Sequence, residues 1–393
     1  SFNYRSLKIK KSTNFINLKP QRLVVKLGSS VVTDNGKGIH NGVIDDYAKQ
    51  IQILSKAGHE IIIVSSGAIA EGIRRLGWVK RPNHINQLQA AAAAGQVGLI
   101  RAYESAFEKL GRLTAQILLT HEDFSDRKRY LNSKSTMLSL LKNSVILVIN
   151  ENDTVATEEI KVGDNDTLAA LVANQLAADL LIILTDKSGV YDADPDLVPN
   201  ARLIEEVFVS DERLLKVSSG NTSKLGVGGM VTKIRAAKIA ASGGTNTIIT
   251  NGFEKDILIR CFEGKKIGTL IKADLPTLSA RKQWLLSQLK IKGSYVLDEG
   301  AEKAINEHGK SLLPIGVTEV NGDFDRGDAV LCISIKRKEM AIGLTNYSSA
   351  DAKKIIGQTS SGIESMIGYI EETELIHRDN LTLTDSNFSF EKM

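Results

Sequence analysis

Lys26 sits inside an otherwise apolar stretch, RLVVKL (22–27), directly before the small residues Gly28, Ser29 and Ser30. An ammonium group in a low-dielectric strand must find an anion, unless its head reaches solvent. The Gly-Ser-Ser turn that follows can offer backbone N–H groups to phosphate oxygens. Two further junctions share this character. VSSGA (64–68) ends an apolar run with two hydroxyls and a glycine, which either cradle an anion or cap a helix. GVGGMVTK (226–233) joins three glycines to Thr232 and Lys233. It is not a Walker A loop, which places lysine before the hydroxyl residue. It reads either as a grip on a nucleotide's polyphosphate or as a surface loop.

The acidic segments are more informative. NEND (150–153) follows an apolar strand pattern, and GDND (163–166) opens a helical one. Carboxylates can take the ammonium of an amino acid, while amides and helix N–H groups take its carboxylates. Asp164 and Asp166 can equally be plain helix caps. A Ca²⁺ loop is excluded, because the EF-hand spacing and its closing glutamate are missing. In LTDKSGVY (184–191), Thr185 and Asp186 fall at the carboxyl end of a strand. Ligands of open α/β sheets bind at that edge, although an Asp-containing turn has the same sequence.

These residues need a scaffold, and hydrophobic spacing supplies one. Strands are expected at 22–27, 60–64, 111–120, 145–149, 180–185 and 247–250, and helices at 45–57, 85–109, 167–178 and 232–243. Strand-then-helix alternation predicts a parallel sheet covered on both faces. The alanines at 90–94 predict a close approach by another backbone. Past residue 273 the pattern changes. A connecting segment at 275–292 carries a proline, basic residues and Trp284. Short strands then follow at 294–297, 316–320, 329–335 and 340–344, with turns at Asn321-Gly322 and 326–328, predicting a small β-rich domain. The expected organisation is a basic extension (1–20), an α/β domain (21–273), a linker (274–292), a β-rich domain (293–378) and a polar tail (379–393).

The composition agrees with this. At 393 residues two domains are the natural expectation. A balance of 50 basic and 46 acidic residues, net +4, is no nucleic-acid-type excess. Cys261 and Cys332 lack a CxxC partner and fit a reducing compartment, so the expected location is the cytoplasm. The six histidines show no HxxxH pair, and no apolar run reaches bilayer length.

Taken in order, VVKLGSS, VSSGAIAEG, VINEND, EIKVGDNDTLAA, LLTDKSGVYDADP and GVGGMVTK resemble the amino acid kinase family, within it the members that phosphorylate glutamate. The resemblance runs from about Arg22 to Ile271. It continues through VLDEGAEKAI, SLLPIGV and FDRGD, which are similar to a PUA domain. It implies an α/β fold, a three-layer αβα sandwich with a mainly parallel central sheet, plus a small PUA-like barrel. By position it implies that Lys26, Lys233 and Asp166 are catalytic, with Lys161 a further helper. Ser66, Asp153 and Asn165 would bind glutamate. Lys26, Thr185, Asp186, Val227, Gly228, Gly229, Met230, Val231, Thr232 and Lys233 would bind ATP. Val227 departs from the family, which often has threonine there.

The implied reaction is transfer of the ATP γ-phosphoryl to the γ-carboxylate of L-glutamate, the first step of proline biosynthesis, with Mg²⁺ carried by ATP. The resemblance also implies a homo-oligomer, dimer or tetramer, and feedback inhibition by proline. A kinase for aspartate or an N-acylated glutamate is the competing reading. RNA binding, which PUA domains elsewhere suggest, is disfavoured because residues 293–370 lack a dense basic stripe interleaved with aromatics.

Overall fold

A computed structural model of the protein describes residues 21–156, 165–195, 197–218, 229–263, 266–275 and 290–384. Its described residues fall into two units. One draws on Ser1–His121 and Thr136–Ala280, the other on Glu122–Ser135 and Arg281–Met393.

The apolar runs of the first unit become strands buried on both faces, as continuous Val/Ile/Leu stretches should. They are β1 (Arg22–Leu27), β2 (Glu60–Ser65), β3 (Thr114–Leu119), β4 (Ile146–Glu151), β5 (Leu180–Thr185), β6 (Glu206–Phe208), β7 (Asn246–Asn251) and β8 (Thr269–Lys272). They form one eight-stranded sheet in the order β3-β4-β2-β1-β5-β7-β8-β6. From β3 to β7 every pairing is parallel, whereas β8 runs antiparallel to β7. β6 and β8 were not expected from sequence; three or four residues carry too little periodicity to read.

The strand order fixes where a ligand can sit. From β1 the chain builds outward to β2, β4 and β3 on one side, then returns to build β5 and β7 on the other. β1 and β5 therefore flank a topological switch point, and the carboxyl ends of all the parallel strands share one edge. Strand periodicity settles the rest. Leu23, Val25 and Leu27 enter a core with Ile44, Leu99 and Phe107, which sends Lys26 to the opposite face.

Helices expected from sequence are present with shifted ends. The second helix spans Asn41–Lys56, starting four residues early because the His40 ring accepts a hydrogen bond from Val43 N at 3.2 Å. Histidine is not among the favoured N-caps, so the start was illegible. The alanine-rich helix spans Ile85–Glu108 and meets the helix Ala68–Arg75 at backbone distance. A Cβ at Gly72 would lie 1.7 Å from the Ala91 carbonyl oxygen, and one at Gly95 would lie 1.8 Å from that of Ala68.

The second unit holds a five-stranded sheet of β9 (Ile291–Leu297), β10 (Val317–Gly322), β11 (Ala329–Ser334), β12 (Glu339–Leu344) and β13 (Leu381–Leu383), in the order β10-β9-β11-β12-β13. Two expectations are corrected. Leu381–Leu383, expected in a polar tail, pairs with Ala341–Gly343 of β12. Asn321-Gly322, expected as a turn, ends β10 instead. The expected connecting segment at 275–292 lies mostly outside the described residues.

Residues 122–135 join this unit by contacts that no local pattern announces. Buried Arg326 donates to Asn132 Oδ1 at 3.0 Å and to the Asn346 carbonyl at 2.8 Å, and pairs with Glu371 at 2.5 Å. Tyr130 and Leu131 pack on Ala329 and Leu344.

Because the Gly72 and Gly95 contacts leave no room for a methyl group, Gly95→Ala should force the two helices apart. Overpacking of this kind costs about 1–3 kcal/mol or more, so urea denaturation should show a clear fall in stability. Ala93→Ser, at an exposed position of the same helix, should change it by less than about 0.5 kcal/mol.

Candidate active site

The Lys26 ammonium finds its anion inside the protein. Its Nζ lies 2.6 Å from Asp166 Oδ1, and Lys233 Nζ lies 3.1 Å from Asp166 Oδ2. All three side chains are buried. Lys26 comes from the carboxyl end of β1, between Val64 of β2 and Ile183 of β5 in register. Asp166 stands in the first turn of the helix Asn165–Leu176, and Lys233 in the first turn of the helix Met230–Ser242. A carboxylate at a helix N-terminus is favoured by the dipole and a lysine is not; the ion pair offsets the second placement. The Thr232 hydroxyl lies 2.9 Å from both Asp166 Oδ2 and the Gly229 carbonyl, and its single proton serves one of them at a time.

Burial alone would push the Asp166 carboxyl up, but the charges of Lys26 and Lys233, with hydrogen bonds from Lys26 and Thr232, hold it at about 2. Asp166 is therefore ionised throughout the physiological range. It is not a helix cap: it ties two cations together.

A second set of polar residues adjoins the triad through Asn165, the neighbour of Asp166. Asn165 Nδ2 lies 3.1 Å from the Ser65 carbonyl, 3.1 Å from Ser66 Oγ and 2.9 Å from Asn150 Oδ1. Ser66 is placed here because Gly67 turns the chain with φ +107°. A side chain at that position would be strained, and its Cβ would meet Ile39 and Val32 at 3.0 Å. Asn150 Oδ1 also accepts the Glu151 N–H at 2.9 Å, and its Nδ2 donates to Gln96 Oε1 at 2.8 Å.

Beyond this network lies a cavity of about 290 Å³, lined by the apolar Ala92, Val97, Ile100 and Leu118 as well as by Gln96, Gln116, Glu151 and Asp153. At the carboxyl end of β5, the Thr185 hydroxyl donates to Asp186 Oδ1 at 3.0 Å.

The structure thus brings Lys26, Asp166 and Lys233 into direct contact, sets Asn165 against Ser66, and puts Asp153 on the cavity wall. Thr185 and Asp186 end the strand beside β1, and Gly229, Met230 and Val231 lead into Lys233. Val227, Gly228 and Lys161 lie outside the described residues. Gln96, Gln116 and Glu151 were not singled out as site residues. Glu151 and Asn150 were at least visible within the NEND motif, but Gln96 sits mid-helix with no local signal.

Two buried lysines at the carboxyl edge of a parallel sheet, beside a network of oriented amides, can gather a polyphosphate and a carboxylate. Comparison with known proteins agrees. Residues 21–251 match the model of the amino acid kinase family, and residues 293–367 match that of the PUA domain. The chain belongs to the amino acid kinase family. Within that family it groups with the glutamate 5-kinases. It is 52% identical to the glutamate 5-kinase of Methylococcus capsulatus, covering 93% of this chain and 97% of that protein, and 54% identical to that of Azoarcus sp., covering 92% and 98%.

Asp166 links the site to acid stability. Its carboxyl is held below its usual value of 3.8, so its contribution is complete above about pH 4 and is lost as pH falls through about 2. Asp166→Asn should flatten that acid limb. It should also cost about 3–5 kcal/mol near neutrality, because it leaves two buried ammonium groups without their carboxylate. Chemical denaturation at a series of pH values checks both outcomes.

Proposed function

We propose that the chain transfers the γ-phosphoryl group of ATP to the γ-carboxylate of L-glutamate, giving L-glutamyl 5-phosphate for proline synthesis. The observation that carries this reading is the buried Lys26–Asp166–Lys233 set, read together with the glutamate 5-kinase relatives.

A glutamate side chain has a reference pKa of about 4.3 and is already an anion at neutral pH, so no general base is required. The barrier lies in bringing an anion to a triphosphate. Catalysis then consists of positioning and charge neutralisation. In this reading Lys26 and Lys233 face the phosphates and quiet the charge on the group in flight. Asp166 holds the two ammonium groups at a fixed spacing. Thr185, Asp186 and the segment from Val227 to Lys233 hold the nucleotide. Glutamate has Ser66, Asn165 and Asp153 as its contacts.

Mg²⁺ would arrive on the nucleotide and add positive charge at the phosphates. The Asp166 carboxylate is taken up by two ammonium groups and does not fit as its ligand, so the phosphate oxygens would hold the ion.

The edge strand β3, the residue before it and the adjacent helix expose Leu118, Leu113 and Val97, which favours a homo-oligomer. Proline, a cyclised relative of glutamate, would compete at the glutamate site. The two free cysteines are buried, and burial pushes both thiols up to about 12; a cytoplasmic location is part of this reading. No helix among the described residues is long and apolar enough to cross a membrane.

The test is trapping of the acyl phosphate with hydroxylamine. The enzyme should form the hydroxamate from L-glutamate with ATP and Mg²⁺, and much less from aspartate or N-acetylglutamate; a preference for either of those acids would overturn the assignment. Lys233→Ala should lower kcat about 10²–10³-fold, as loss of one charge-stabilising contact commonly does. The KM for glutamate should change far less, and an unchanged kcat would remove Lys233 from the mechanism.

A further inference from the structure

The turn that carries Ser66 is held from inside the apolar core. Ser65, the last residue of β2, stands level with Leu27 of β1, whose side chain enters the core on the face opposite Lys26. There Ser65 Oγ lies 2.8 Å from the Tyr103 hydroxyl and 3.0 Å from the Ser66 carbonyl oxygen. Both side chains are closed to solvent, Ser65 being 0% and Tyr103 1% exposed. The direction of the bonds follows. A carbonyl only accepts, so the Ser65 proton goes to Ser66 and the Tyr103 phenol donates to Ser65. Burial pushes the phenol's pKa up, which keeps that proton in place.

Stability does not account for this pair. Tyr103 belongs to the apolar cluster of Leu27, Leu99 and Phe107, where a phenylalanine ring would pack without a hydroxyl to satisfy. Replacing both members of a buried hydrogen bond by apolar groups is close to neutral. What the pair adds is orientation. Each polar group of Ser66 answers to a different element. Its N–H donates to the Leu27 carbonyl of β1 at 3.0 Å. Its carbonyl accepts from Ser65 and so depends on Tyr103, in the helix Ile85–Glu108. Its Oγ lies 3.1 Å from Asn165 Nδ2. An amide nitrogen only donates, so Ser66 Oγ accepts there and keeps its own proton for a ligand. The hold on the carbonyl matters because the next residue is Gly67, at φ +107°. Glycine's wide conformational range leaves the peptide between them weakly fixed by sterics.

We propose that Tyr103 is a positioning residue for the phosphoryl-transfer reaction: through the Ser65 hydroxyl it locks the Ser66–Gly67 peptide, so that the Ser66 hydroxyl is presented as a donor to the carboxylate substrate. This rests on the reading that Ser66 contacts glutamate.

The test compares Tyr103→Phe, which removes one oxygen and keeps the ring, with Ser66→Ala and with both substitutions in one chain. The readouts are hydroxamate kinetics with L-glutamate and the KM for ATP. Tyr103→Phe should raise the KM for L-glutamate about 3–10-fold, as loss of roughly one hydrogen bond does, with the KM for ATP within about twofold. In the Ser66→Ala background the same change should raise the glutamate KM by less than about twofold, because residues acting through one another are not additive. Tyr103→Phe/Ser65→Ala separates folding from positioning. With no buried oxygen left unpaired at either position, its urea midpoint should return toward wild type while the glutamate KM stays raised.

An unchanged glutamate KM in Tyr103→Phe overturns this proposal alone. So does a full further rise in the Ser66→Ala background, which would show Tyr103 acting elsewhere, or a KM that recovers together with the urea midpoint. If Ser66→Ala itself leaves the glutamate KM unchanged, or wild type forms no hydroxamate from glutamate, the functional reading of Ser66 falls and this one with it.

Discussion

One carboxylate holding two ammonium groups is the constraint around which the first unit is arranged. Neither Lys26 nor Lys233 could be buried at low cost without it. Asp166 draws together three elements far apart in sequence: the end of β1, the start of one helix and the start of another. The parallel sheet makes this possible by bringing its strand ends to one edge. The neighbouring amides then inherit their positions, because Asn165 cannot move without Asp166.

The site has two electrostatic characters that suit two tasks. Around Asp166 it is built from full charges, as phosphoryl transfer demands. Around Asn150 it is built from oriented amides: the flips of Asn150 and Asn165 are determined by a backbone N–H and a carbonyl, and that of Gln96 by Asn150. Charges provide strength with little angular discrimination, whereas amides discriminate donors from acceptors. A substrate that carries both signs of charge needs the second kind of recognition more than the first.

Much of this was legible in the sequence. A lysine inside RLVVKL demanded an anion, and the GDND motif supplied one at Asp166. The strands that build the switch point were readable because they are continuous apolar runs. The alanine-rich helix announced the close backbone contact that Gly72 and Gly95 complete. What escaped had no local period to betray it. β6 and β8 are too short, His40 caps a helix with an unusual residue, and Leu381–Leu383 is a strand only because β12 is there to pair with it. Gln96 escaped for a different reason. Its significance lies in which of its two amide ends is occupied, a property of three residues spread over 70 positions.

The grouping of residues 122–135 with the second unit bears on how this protein can be divided. The two family matches, 21–251 and 293–367, suggest beads on a string with a seam between them. Yet fourteen residues from inside the first match belong to the second unit, where Tyr130 and Leu131 form a small apolar cluster with Ala329 and Leu344 and Arg326 is their clasp. The seam in the sequence is therefore not the seam in the fold. A gene cut between the two matches would leave Tyr130 and Leu131 bare on one fragment and Ala329 and Leu344 bare on the other.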